Sequence, residues 1–413
     1  MKPRPIALLV SFAVACDGAA PPPGPGVDVP EGPCGHALFV VATDYQSSSV
    51  SVVGWGGEVL SAGMIHSGTE QAGLSVALSG DVVAPTDRVG AGQLLVLDRY
   101  PASVATLIDP VEAAVTEQVN VQTGFASNPQ DAVFARPDAL YVSRYERNPA
   151  PGKVAFDAGS DLLVVTLPDA AITGRVDLGP AMVGAPAEIL PRPGRMVARG
   201  GLVYALLSAY SADFKTTGDA RVAIVDPEAD TVVGHAVLAG ARGCSGLAAS
   251  PSGARLAVAC SGTFGGTGTP DLSGAGVVVL DRGVDGSLVE SRRFDAAVFD
   301  GEPLSFTLDF VAEDALLVST FGALDDTGAA LRDDRLLEID LTDGSVRELL
   351  RSAGEPFTLG DIRCGAACGA CFVADAGRGG VQRFSVEGGR VGAATFHAVD
   401  DGTGLPPRYL GAY

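Results

Sequence analysis

The chain has 413 residues and a formal net charge of −21, with 19% charged residues, 47% hydrophobic residues and 54 glycines. Acidity spread along the whole length repels phosphate backbones and anionic headgroups, which argues against a nucleic-acid partner. Too many apolar residues for disorder, and too many glycines for long helices, leave a turn-rich all-β protein as the class that fits.

At the N-terminus, Lys2 and Arg4 precede an apolar run over residues 6–14, the layout of a secretory signal too short to stay as a spanning helix. Ala13-Val14-Ala15-Cys16 resembles a bacterial lipobox, with Ala13 where Leu is usual, and the resemblance implies lipidation of Cys16. Ala-x-Ala also suits ordinary signal cleavage, so both routes stay open. Cysteine parity favours the lipid: with Cys16 set aside, Cys34, Cys244, Cys260, Cys364, Cys368 and Cys371 form an even set suited to three disulfides in an oxidising compartment. Residues 1–15 then read as a signal peptide, 16–33 as a lipidated cysteine with a Pro/Gly-rich tether, and 34–413 as the folded domain. Such a protein belongs in the cell envelope, anchored to a membrane on its periplasmic or cell-surface side.

From residue 36 a pattern of four short apolar runs repeats about every 50–60 residues, the mark of a propeller or solenoid. Runs punctuated by Gly, Pro and Asp signal strands and hairpins, and no stretch keeps a helical period. Second strands are expected at 37–42, 81–84, 140–143, 203–207, 255–259, 315–320 and 371–375, which predicts seven blades. Unit one lacks its own first strand. Residues 406–411 match the start of other units, such as Pro186-Ala187-Glu188-Ile189-Leu190, so the C-terminal strand is expected to close the ring inside blade one.

Gly246-Leu247-Ala248-Ala249-Ser250-Pro251-Ser252-Gly253-Ala254-Arg255-Leu256-Ala257-Val258-Ala259 and Leu140-Tyr141-Val142-Ser143 carry a resemblance to YVTN-repeat and lactonase-like propellers of exported bacterial proteins. It covers about 375 residues and implies a seven-bladed propeller of four-stranded antiparallel blades. The Asn that usually ends the strand is replaced by Arg144, Ser261, Phe321 or Asp375, so the resemblance speaks for fold and not for activity.

Cys244 and Cys260 lie symmetrically about the turn at Ser252, which predicts a cross-strand bridge. Cys364, Cys368 and Cys371 share the C-x3-C-x2-C spacing of an iron–sulfur site, but an exported all-β chain makes bridges the better reading. Cys34 with Cys368 and Cys364 with Cys371 is one of three pairings open to these four residues.

Loops between second and third strands are long in units three to six, at 144–160, 209–220, 261–275 and 321–334, and they share one face. Recognition is expected there, with Tyr145, Tyr210, Asp213, Phe264, Phe321 and Asp325 as candidate ligand-binding residues for a protein or a polar ligand. Asp325-Asp326 with Asp333-Asp334 could offer oxygens to calcium, though without the spacing of an EF-hand; no other cofactor is expected. His36, His66, His235 and His397 are scattered, Gly-x-Ser-x-Gly is absent, and the glycine-rich run 262–268 lacks the lysine of a phosphate loop. A binding or interaction scaffold is the leading expectation. A metal-dependent lactonase-like hydrolase is the alternative that the resemblance implies. Its usual Glu, Asp and Asn metal set would need asparagines on several blades, whereas Asn120, Asn128 and Asn148 all fall around unit three.

Overall fold

The computed structural model describes residues 22–413 apart from 91, 265–269, 326 and 354. The signal segment and Cys16 lie outside the described residues.

Seven four-stranded antiparallel sheets form the blades of a ring. Blades two to seven begin with the inner strands Val82–Val83, Pro129–Arg136, Pro193–Arg199, Cys244–Ala249, Leu304–Ala312 and Leu359–Gly365. Blade one takes its inner strand from Pro407–Ala412, which pairs antiparallel with Leu38–Thr43, so the expected closure is what the fold uses. First strands of neighbouring blades pack against each other around a central channel.

Each second strand is buried on both sides, which is why it reads as an unbroken apolar run. In blade five, Leu256 and Val258 face the core shared with blade four, while Ala257 and Ala259 face the one shared with blade six. Large residues on one side and small ones on the other let the tilted sheets interdigitate. The hydrophobic cores therefore lie between blades, and no blade has one of its own.

Two sequence assignments shift. Val82–Val83 is the inner strand of blade two and not its second, which is Leu94–Asp98. Ile189–Leu190 is no inner strand either: it pairs with Tyr210–Ser211 in a small projecting hairpin, and the inner strand starts at Pro193. Both segments are short apolar pieces beside prolines, and apolar content alone cannot say which neighbour they pair with.

The stretch read as a tether docks over residues 24–29. Gly24 N–H donates to Gly63 O at 2.9 Å and Val27 N–H to Pro110 O at 2.7 Å, while Val27 and Val29 pack on the core of blades one to three. A Cβ at Gly24 would stand 2.1 Å from Ala62 O, and one at Gly26 1.9 Å from Val111 O. Glycine is what lets this strap lie against the backbone of the outer strand Val59–His66, whose free edge it partly covers.

Three disulfides join Cys34 to Cys368, Cys244 to Cys260 and Cys364 to Cys371, and they indicate an oxidising, extracytoplasmic compartment. Among the described residues no helix is long and apolar enough to cross a membrane.

Candidate functional site

Inner strands three to seven each carry a register shift near the start: Pro129/Asp131, Pro193/Met196, Cys244/Gly246, Leu304/Leu308 and Leu359/Ile362. A bulge re-aims the side chains it spans. Here it aims polar groups at the channel. Arg195 Nη2 of blade four reaches Asp361 Oδ1 of blade seven at 3.1 Å, and Arg195 Nη1 reaches Ala84 O of blade two at 3.2 Å. These contacts span the channel.

Asp131 accepts N–H bonds from Thr86 and Met196, tying blade three to blades two and four, and burial pushes its pKa up against the pull of Arg195. Asp309 accepts from Phe310 and Cys364, and burial raises its pKa to about 6. Carboxylates bonded to the next blade's backbone in this way hold the ring together.

The long-loop mouth is rimmed by aromatics. Phe306, Phe321 and Phe357 form a run with ring centroids 4.9 and 5.5 Å apart. Arg408 extends it, donating to Phe357 O and lying 5.2 Å from the centre of the Tyr45 ring. Tyr45, Phe306 and Phe357 are 51%, 54% and 48% exposed. A second group lies on blades three and four: Tyr145 stacks on Phe214 at 6.1 Å and Tyr210 tilts against Phe214 at 6.0 Å. Buried Arg192 underlies it, 4.1 Å from the Phe214 centroid and bonded to Glu146 and to the carbonyls of Ser211 and Ala212. Burial also lifts the Tyr145 hydroxyl to about 12, leaving it a neutral hydrogen-bonding group.

The candidate residues are thus distributed over the face. Tyr145 and Tyr210 come together, with Asp213 exposed beside them and accepting from Ser211 Oγ and Lys215 N–H. Phe321 belongs to the other group, and Phe264 is 56% exposed on the separate hairpin of blade five. Asp325 caps its own turn, accepting from the N–H groups of Thr327 and Ala329. Asp334 accepts four backbone N–H bonds, from Gly322, Phe357, Thr358 and Leu359, so its oxygens are engaged within the protein. Among the described residues no three His, Cys, Asp or Glu side chains are grouped to hold a metal ion.

Tyr45, Arg192, Phe306, Phe357 and Arg408 escape the sequence reading. Phe306 shares the alternation of Leu304, Leu308 and Phe310, all buried, and only the bulge turns it outward. Arg195 and Asp361 carry a legible signal, being charges within the inner strands Pro193–Arg199 and Leu359–Gly365.

Near this rim, Asp98 is buried and bonded to Ser79 N–H at 2.7 Å, and burial raises its pKa from 3.8 to about 6. A raised carboxylate favours folding in its protonated form, so its contribution is complete below about pH 4 and is lost as pH rises through 6. The melting temperature is therefore expected to rise from pH 7.5 to pH 5, and Asp98→Asn to gain about 1–2 kcal/mol at pH 7.5 and flatten the slope. Chemical denaturation of both proteins at the two pH values checks this; a slope unchanged by the substitution would sink it.

No protein-family model and no curated protein sequence matches the chain. Solved structures share its ring at low identity. The periplasmic gluconolactonase of Pseudomonas aeruginosa is 16% identical over 91% of this chain and 98% of its own, with a TM-score of 0.54. A candidate 6-phosphogluconolactonase of Bacteroides fragilis is 12% identical over 91% and 96%, also at 0.54. The propeller domain of Myceliophthora thermophila Cps50 (Swd1) is 12% identical over 89% and 98%, at 0.51. These likenesses establish a seven-bladed propeller of the architecture seen in lactonase-like proteins, and they establish no activity.

Proposed function

We propose that the protein is an exported binding module, anchored by a lipid on Cys16, that grips a protein partner at its long-loop mouth. The observation that carries this reading is the aromatic run Tyr45, Phe357, Phe321 and Phe306, three of whose members are about half exposed while bound to a rigid ring. Aromatic and arginine side chains clustered at one exposed place are the composition of an interface hot spot, and an unoccupied surface has little use for them. Carboxylates around the channel are engaged by arginines or backbone N–H groups, which supports binding over hydrolysis.

The test is site-specific photocrosslinking in cells that make the protein. A photoreactive residue at Phe306 is expected to give one discrete adduct, weakened at least tenfold by Phe357→Ala. The same residue at exposed Val289, on the outer strand of blade five, should give none. Equal adducts from both positions, or none from Phe306, would overturn the reading.

A further inference from the structure

At the opposite mouth, where the first-to-second turns converge, the channel opens into a cavity of about 380 Å³. Its wall includes Trp55, Arg88, Arg199, Phe310 and Arg363. The cavity sits at the closure point of the ring, beside Cys34 and Cys364 of two disulfides. Gly365 is required there: a Cβ would stand 2.7 Å from the Trp55 ring and 2.8 Å from Cys34 Sγ.

The polar groups on this wall are largely donors. Arg363 is 8% exposed, and its Nη1 and Nη2 donate to Ile362 O at 3.0 Å and Pro85 O at 2.7 Å, both neutral carbonyls. The buried Asp309 carboxylate feels the Arg363 charge but shares no hydrogen bond with it, so the direct partners of this guanidinium are neutral and it keeps capacity for an incoming anion. Trp55 Nε1 is a buried donor with no acceptor among the described residues. Two carboxylates also face the cavity. Asp87 is matched by Arg199, whose Nη1 lies 2.9 Å from both of its oxygens, and it also accepts from Ala198 N–H. Asp309 accepts the N–H groups of Phe310 and Cys364. Arg88 stands at the rim, 3.9 Å from Glu31. Arg88, Arg199 and Arg363 against Asp87, Asp309 and the Glu31 beside Arg88 leave this mouth neutral in a chain of net charge −21, with Arg363 the cation whose bonds run to no carboxylate.

We infer that this well binds a small organic acid, its carboxylate paired with Arg363 and its carbon skeleton against Trp55. Bidentate guanidinium recognition suits a carboxylate, and the Trp55 indole suits carbon more than water. The site shares no lining residue with the aromatic rim, and the Arg195–Asp361 pair lies outside its wall.

Trp55 is the only tryptophan in the sequence, so intrinsic tryptophan fluorescence reports on this well alone. Citrate and succinate, titrated into the folded protein at fixed ionic strength, are expected to give a saturable fluorescence change that sodium chloride does not. Arg363→Gln should weaken the apparent affinity at least tenfold. Arg88→Gln, at a half-exposed rim position that carries no fold, should weaken it about threefold and serves if the first variant fails to fold. No saturable change with either acid overturns the inference. So does an equal response to sulfate, which would mark an adventitious ion only, or an affinity unchanged in both variants.

Discussion

Replacing Cys34 and Cys368 with serine is expected to cost about 5 kcal/mol of stability under oxidising conditions, twice the about 2–3 kcal/mol expected for removing Cys364–Cys371. The reasoning lies in the unfolded chain. A bridge restricts that ensemble in proportion to the logarithm of the loop it closes, and the two separations are 334 and 7 residues. Both bridges end near the same rim, so local packing loss is similar and loop length dominates the difference. Urea unfolding of the two paired variants, each without reducing agent, measures it. Equal losses would mean that residual structure in the denatured chain already holds blades one and seven together.

Asp161→Asn is expected to destabilise the protein by about 3–5 kcal/mol, the largest effect of a single polar substitution. Arg144 is 0% exposed and Asp161 1%. Arg144 donates Nε and Nη2 to the two Asp161 oxygens at 2.8 Å each, and its remaining bonds run to Thr123 and Phe156 O. Removing the carboxylate charge strands a guanidinium in the core of blade three, whereas removing both partners leaves only Arg175 without this carboxylate, and Arg175 is partly exposed with Asp177 3.9 Å away. The double variant Arg144→Met/Asp161→Leu should therefore recover most of the loss. Denaturant unfolding of the single and double variants decides it, and a single variant as stable as the parent would show that water reaches the pair. Arg144 stands where the resembled repeat has Asn and is among the polar groups of a candidate ligand loop. Its burial makes it a structural group of this blade.

What the sequence revealed follows from where its signals come from. Blade number, ring closure and the Cys244–Cys260 bridge rest on repetition and on symmetry about a turn, both of which survive in one dimension. Of the three pairings open to Cys34, Cys364, Cys368 and Cys371, the fold uses the one that staples blade seven to blade one, and only the closed ring brings those residues together. The site was harder. Tyr145 and Tyr210 were reachable as aromatics in long loops, but Phe306 depends on a bulge that changes its side without changing its neighbours in sequence. Asp334 looked like a metal ligand for the property that makes it a structural acceptor, since a carboxylate at a loop end serves either use until its four N–H donors are seen. Trp55 and Arg363 are 308 residues apart in sequence and meet only where the ring closes.

Because residues 407–412 complete the blade that residues 38–43 begin, synthesis and structure run in opposite orders at that blade. Leu38-Phe39-Val40-Val41-Ala42-Thr43 is among the first folded-domain segments made and the last to gain its inner partner. Until then it presents an unpaired apolar edge of the kind that invites aggregation or proteolysis. Cys34 meets Cys368 only when blade seven stands beside blade one. The ring thus carries its own proofreading of length: a chain cut short before residue 407 leaves that edge open to proteases, and one that reaches it hides the edge and locks it by oxidation.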